Sequence, residues 1–141
     1  MDRQPFEMLS HTADIAVLVR GRDMAELLSN AARALYAAML PAETEIRSTV
    51  TRTIRIDSVD ADTLLVDWVN ELIYQIDAEH MVFSRFRFPS LGDDRLEAEC
   101  GGELLDHSRH RLTREVKAAT YHMSHIECTD NGLEARIVLD V

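Results

Sequence analysis

The sequence predicts an α+β domain: a two-layer α/β sandwich in which two helices pack on one face of a mixed β-sheet. Three observations carry that expectation. Two stretches, starting near Asp23 and Asp60, place apolar residues at helical spacing. Several others alternate apolar and polar residues at strand period. The order along the chain reads β-β-α-β-α-β-β-β-β. The 141 residues hold no repeat and no Pro/Gly/Ser linker, so residues 1–141 are expected to form a single domain. That length suffices to bury a core without disulfides or structural metals.

Residues 6–9 make a first short strand. Residues 14–20 (DIAVLVR) make a second, ended by Gly21. Ile15, Val17 and Val19 share one face of it, and Asp14, Ala16 and Leu18 the other. Asp23 then reads as an N-cap, with Glu26 spaced to complete a capping box. Leu27, Leu28, Ala31, Leu35 and Met39 follow at helical spacing, and Pro41 stands just past the end, where it cannot continue the helix. Residues 50–58 (VTRTIRIDS) alternate as a strand. A second helix starts from Asp60, with Leu65, Trp68, Val69, Leu72 and Ile76 as its apolar stripe. Residues 81–88, 95–100, 115–126 and 133–141 read as further strands. Thr129-Asp130-Asn131-Gly132 contains Asn-Gly, a hairpin signal, ahead of the last one.

Composition sets bounds on function. With 46% hydrophobic and 28% charged residues the chain falls within ordinary globular usage, which argues against global disorder. No apolar run approaches the roughly 18–20 residues of a membrane span, and residues 1–9 lack the basic and apolar regions of a signal peptide. The 15 Lys+Arg against 25 Asp+Glu leave a net charge of −10, a poor basis for nonspecific nucleic-acid binding, which phosphate neutralisation drives. Such a charge suits a cationic partner, a metal ion or plain solubility. Cys100 and Cys128 form no close pair, so free thiols in a reducing cytoplasm are expected. Lys117 is the only lysine. Between Arg55 and Arg85 there is no Lys or Arg, while Asp57, Asp60, Asp62, Asp67, Glu71, Asp77 and Glu79 fall there. Asp60 and Asp62 suit a helix start. The rest read as a solvated face, or as a docking face for a basic partner.

The familiar phosphate-loop, dinucleotide, nucleophile-elbow and zinc-protease signatures are absent, which removes the main support for the common nucleotide-binding and hydrolase readings. The histidines come in near pairs. His122 and His125, three apart on a presumed strand, point to opposite faces and make a poor chelate. His107 and His110 converge only if their loop turns helical. The carboxylates are more suggestive. Asp14 opens a strand and Asp140 ends the last one, each opposite the more apolar face of its strand. With the terminal carboxylate of Val141 they offer hard oxygen ligands suited to Ca²⁺, Mg²⁺ or Mn²⁺. Spacing alone does not bring Asp14 and Asp140 together. Lys117 points to the open sheet face if Val116 and Ala118 face the helices, but Ala119, Tyr121 and Met123 serve equally well as the core set.

Four segments together resemble the archease family. They are His11-Thr12-Ala13-Asp14-Ile15, then Leu64-Leu65-Val66-Asp67-Trp68-Val69-Asn70-Glu71-Leu72, then Lys117-Ala118-Ala119-Thr120-Tyr121-His122, and finally Val138-Leu139-Asp140-Val141. Each is short, but their order and spacing span nearly the whole chain. Residues 86–114 carry little of the likeness, and it does not account for the Arg/His-rich segment 107–114. The resemblance implies a non-catalytic accessory protein of the RtcB-type RNA ligase. That ligase joins RNA ends bearing a 2′,3′-cyclic phosphate or 3′-phosphate to a 5′-hydroxyl, in tRNA splicing and RNA repair. The accessory protein promotes the ligase's GTP- and Mn²⁺-dependent guanylylation and its repeated turnover, and RNA is met only through the ligase. Carried over by motif, Asp14, Asp140 and Val141 would bind a divalent metal ion, with Ca²⁺ expected in structures and Mg²⁺ or Mn²⁺ in function. Lys117 and His11 would be further functional residues. Lys117 would limit local repulsion or touch a nucleotide phosphate. Two other readings stand beside this one. A general chaperone or modulator of nucleic-acid-modifying proteins fits the small size and acidic surface. A metal-dependent hydrolase using Asp14 and Asp140 lacks a recognisable base or nucleophile.

Overall fold

The computed structural model describes residues 4–9, 14–121 and 124–141. Its elements in chain order are β1 (Phe6–Leu9), β2 (Asp14–Gly21), α1 (Met24–Met39), β3 (Val50–Asp57), α2 (Ala61–Asp77), β4 (Met81–Leu91), β5 (Arg95–Leu104), β6 (Ala118–Thr120), β7 (Ile126–Thr129) and β8 (Gly132–Asp140).

Both helices begin where short polar side chains cap them. The Asp23 carboxylate accepts the Glu26 N–H at 2.9 Å, and Asp60 accepts the Thr63 N–H at 2.8 Å. Glu26 reaches back as in a capping box, but one residue further than expected, to the Arg22 N–H at 2.9 Å. α1 stops at Leu40, whose backbone is extended, just ahead of Pro41. Gly21 ends β2 for a steric reason: a Cβ there would lie 2.4 Å from the Leu27 backbone nitrogen, so β2 and α1 could not approach as they do.

The strands form two sheets. The larger has the order β1-β2-β8-β6, with β7 also on β8, and the smaller has the order β3-β5-β4. The α+β class therefore holds, but the expected single mixed sheet is corrected, because every pairing among the described residues is antiparallel. The α2 crossover does connect β3 to β4, yet β5 lies between them, so they never become parallel neighbours. α1 contacts β1, β2 and β8 of one sheet and β4 of the other, while α2 contacts β6 of the first and β3 and β4 of the second.

This arrangement explains why the helices are apolar over more than one stripe. Leu27, Leu28, Ala31, Leu35, Leu64, Leu65, Trp68 and Leu72 are all within 1% of complete burial. Each large apolar side chain so placed contributes about 1.5–3 kcal/mol. Trp68 packs edge-on against Phe86 and Phe88 at 5.6 Å, and its indole N–H donates to the Leu28 carbonyl at 2.8 Å, tying α2 to α1. The larger sheet turns Val17, Val19, Ala135, Ile137 and Leu139 to the core, as alternation predicts. The β7–β8 hairpin forms at the Asn-Gly signal, with Gly132 at φ 123° taking the conformation closed to other residues.

One expected strand is corrected. Residues 115–126 do not run as a single strand, since only Ala118–Thr120 pairs with β8 before the chain rejoins it at Ile126–Thr129. The register shows why: Thr120 pairs with Val138 and Ile126 with Ala135, so five residues of the chain stand opposite two of β8 and cannot form one continuous ladder.

Candidate functional site

β2 and β8 pair over eight positions, and the outermost pair of that register is Asp14 opposite Asp140. Directly opposed residues share a sheet face, with Cβ atoms roughly 4.5–5.5 Å apart. Both aspartates lie on the face turned away from Val17, Ile137 and Leu139. Asp14 is half-buried and Asp140 exposed. On the other side of β8, Ala118 pairs with Asp140, and the Lys117 N–H donates to the Asp140 carbonyl at 2.8 Å. Val141 follows directly, half-buried against the core.

Four of the five residues singled out in the sequence therefore gather at one end of the larger sheet: Asp14, Asp140, Val141 and Lys117. His11 lies outside the described residues. Ala119, opposite Leu139, faces the core, whereas Ala118 is half-buried and Tyr121 exposed. Lys117 itself is exposed and follows the fully buried Val116.

The electrostatics of this end are unbalanced. Among the described residues no side-chain hydrogen bond or ion pair neutralises either Asp14 or Asp140, and like charges directly opposed across a sheet are destabilising. The donor chemistry fits an oxygen-ligated divalent cation. Two carboxylates on one face suit Ca²⁺, Mg²⁺ or Mn²⁺ and not a thiolate- or imidazole-preferring metal. Side chains alone do not complete a cage. Among the described residues no three His, Cys, Asp or Glu side chains are grouped to hold a metal.

Two supports hold this end in place, and sequence reasoning missed both. The first is the Arg/His-rich segment. The His110 ring is fully buried: its Nδ1 accepts the Asp106 N–H at 2.8 Å, which leaves Nε2 as the protonated nitrogen facing Glu103 Oε2 at 3.1 Å. Glu103 also accepts the Arg47 N–H at 2.6 Å and the Arg109 guanidinium. Burial raises the Glu103 carboxyl, but these bonds outweigh it and hold the group below its ordinary value. The Thr113 N–H then donates to the Met39 carbonyl at 2.9 Å. The chain is thus anchored twice before it delivers Val116 and Lys117 to the site. His107 and His110 do not converge, because His110 is spent on this anchor.

The second support is α2. Asn70 Oδ1 accepts the Ala119 N–H at 2.8 Å while its Nδ2 donates to the Ala119 carbonyl at 3.1 Å. Asp67 accepts the Ser58 hydroxyl at 2.5 Å and also the Tyr121 hydroxyl. That contact is the main reason the Tyr121 phenol is raised. Asp62 accepts the Ile126 N–H at 2.8 Å and faces His125 Nδ1 at 3.0 Å, raising the imidazole above its ordinary value. The acidic stretch is therefore only partly a solvated face: Asp57, Asp77 and Glu79 are exposed, whereas Asp62 and Asp67 hold the segment leading from β6 to β7. His122, expected on the opposite face from His125, lies outside the described residues.

Comparison with known proteins gives a consistent picture. The Archease protein family (MTH1598/TM1083) matches residues 6–141. The chain is 32% identical over 140 residues to a protein archease of Methanosarcina mazei, covering 96% of this chain and 95% of that one. It is 34% identical over 140 residues to a protein archease of Sulfurisphaera tokodaii, covering 98% and 99%. The solution structure of Methanobacterium thermoautotrophicum protein 1598 superposes with a TM-score of 0.77 at 34% identity, covering 97% of this chain and 99% of that one. A crystal structure from Thermotoga maritima, described as an archease and possible chaperone, shares the fold with a TM-score of 0.63 at 23% identity, covering 100% and 98%.

Proposed function

The chain belongs to the archease family, and on that premise we propose that it activates an RtcB-type RNA ligase in tRNA splicing or RNA repair, without catalysing a reaction of its own. In this reading it promotes GTP-dependent guanylylation of the ligase and allows repeated turnover. The observation that carries the reading is the convergence of Asp14, Asp140, Val141 and Lys117 at one sheet end. Those four residues come from three separate segments of the archease resemblance, which the sheet register brings to one end.

Asp14 and Asp140 would hold a divalent cation from neighbouring strands, with the Val141 carboxylate as third anionic donor. Bound there, the ion supplies a concentrated positive charge for an anionic oxygen at the contact with the ligase. Asp14, half-buried, fixes one side of the position, while Asp140 is held through its own carbonyl by the Lys117 N–H. The exposed Lys117 side chain would limit local repulsion or meet a nucleotide phosphate. A net charge of −10 is compatible with an RNA-processing role of this kind, because the ligase and not this chain would hold the RNA. No helix among the described residues is long and apolar enough to cross a membrane.

The test combines this protein with its cognate ligase, GTP and Mn²⁺ and follows ligase–GMP formation and product turnover. Wild-type protein is expected to accelerate the first and sustain the second, and Asp14→Ala and Asp140→Ala to do neither. No acceleration by the wild type would refute the proposal.

A further inference from the structure

We infer that Asn70 and Asp67 of α2 are positioning residues for the Lys117–Asp140 end of the sheet, acting as a clamp on the short edge strand that carries it. The inference rests on the reading of Asp14, Asp140 and Lys117 as the working site. It gives a role to the Leu64–Leu72 segment, which that reading leaves without one.

Three residues, Ala118–Thr120, pair with Val138, Leu139 and Asp140 at the end of β8. So short a strand has too little pairing of its own to stay in place. It is also an edge, whose outward backbone groups need partners or water. Asn70 supplies those partners. A carboxamide is the side chain that offers an acceptor and a donor together, and here both are spent on one residue, accepting the Ala119 N–H at 2.8 Å and donating to its carbonyl at 3.1 Å.

Asp67, three residues earlier and on the same helix face, takes the Tyr121 hydroxyl just past the strand, and the Ser58 hydroxyl at 2.5 Å fixes its other oxygen. The clamp thus grips β6 at its centre and at its exit. Its entrance is Lys117, whose N–H holds the Asp140 carbonyl at 2.8 Å. The hydrophobic core does not depend on these bonds. Trp68, Val69 and Leu72 on the opposite face of α2 are buried against other elements. Loosening the clamp should therefore free Lys117 and Asp140 while the fold persists.

The experiment is amide hydrogen exchange on the full chain, with ligase activation measured on the same samples. Asn70→Ala is expected to speed exchange of the Ala119 and Lys117 amides roughly ten-fold, with core amides of α1 unchanged and ligase activation reduced. Asn70→Asp keeps the acceptor and loses the donor, so it should fall between wild type and Asn70→Ala in both readouts. Asp67→Asn serves as a second probe should Asn70→Ala fold poorly, with the same direction expected at Lys117. Unchanged Lys117 exchange in both Asn70→Ala and Asp67→Asn would overturn the clamp. Faster exchange with undiminished activation would overturn its positioning role. If wild-type protein activates no ligase, the proposed function fails while the exchange data still decide the clamp.

Discussion

Asp14 and Asp140, near opposite ends of the chain, are direct partners across two central strands of the larger sheet. The pairing places two carboxylates on one face at the sheet's end, where among the described residues no side chain neutralises them. An antiparallel sheet normally avoids opposed like charges. Retaining them here makes sense if a cation lies between them.

That repulsion is measurable without any partner. In chelator, Asp140→Asn should be as stable as wild type or more stable by about 0.2–1 kcal/mol, because it removes a like-charge pair. With millimolar Ca²⁺ the order should reverse, since only the wild type gains stability by binding. Thermal melts of both proteins with and without Ca²⁺ test this. A Ca²⁺-induced gain of equal size in the two proteins would remove Asp140 from the ion's coordination.

Lys117→Ala should leave the fold within about 0.5 kcal/mol of wild type, as expected for an exposed side chain. Ligase guanylylation should nevertheless fall. Chemical denaturation and the guanylylation assay, run on the same preparation, separate the two effects. Full activation by Lys117→Ala would reduce this lone lysine to a compositional accident.

The Glu103 anchor predicts a steep cost for removing it. Glu103→Ala leaves the buried His110 ring and the Arg109 guanidinium without their acceptor. It should destabilise the protein by about 2–4 kcal/mol in urea titrations. The acid limb of stability follows from the same group. Its folded-state carboxyl lies below the ordinary value of 4.5, so its contribution is present above pH 4.5 and is lost as pH falls through the lower, folded value. Glu103→Gln should flatten that limb, and an unchanged limb would assign acid sensitivity to other carboxylates.

His125 works in the opposite sense. Asp62 raises its imidazole above 6.5 in the folded protein. The Asp62–His125 contact therefore contributes fully below pH 6.5 and is lost as pH rises through the higher, folded value. Exchange of the Ile126 amide should quicken across that interval. Asp62→Asn should return the His125 titration, followed by NMR, to near 6.5.

Much of the fold was legible because its signals are local. The Asp23 and Asp60 caps, the apolar stripes of α1 and α2 and the alternation of β2 and β8 are each written in a few consecutive residues. Asp14 and Asp140 were visible as polar strand ends, but their opposition depends on a register between distant strands, which no local pattern encodes. The division into two sheets was hidden for a similar reason, since β5 inserts between β3 and β4 only in three dimensions. The break after Thr120 could not be read from residues 115–126, whose composition suits a strand. It shows only in the register on β8, where Thr120 pairs with Val138 but Ile126 with Ala135, leaving five residues opposite two. His110 stands in a polar segment that gives no local sign of burial, and its burial makes sense only with Glu103 in place to satisfy it.

The most direct test of the account is anomalous diffraction from crystals soaked in Mn²⁺. One peak is expected within coordinating distance of both the Asp14 and Asp140 carboxylates, with the Val141 carboxylate as a further ligand, and its loss is expected in Asp14→Ala. A fully soaked crystal with no peak at that end of the sheet, or with Asp14 and Asp140 on separate ions, would contradict it.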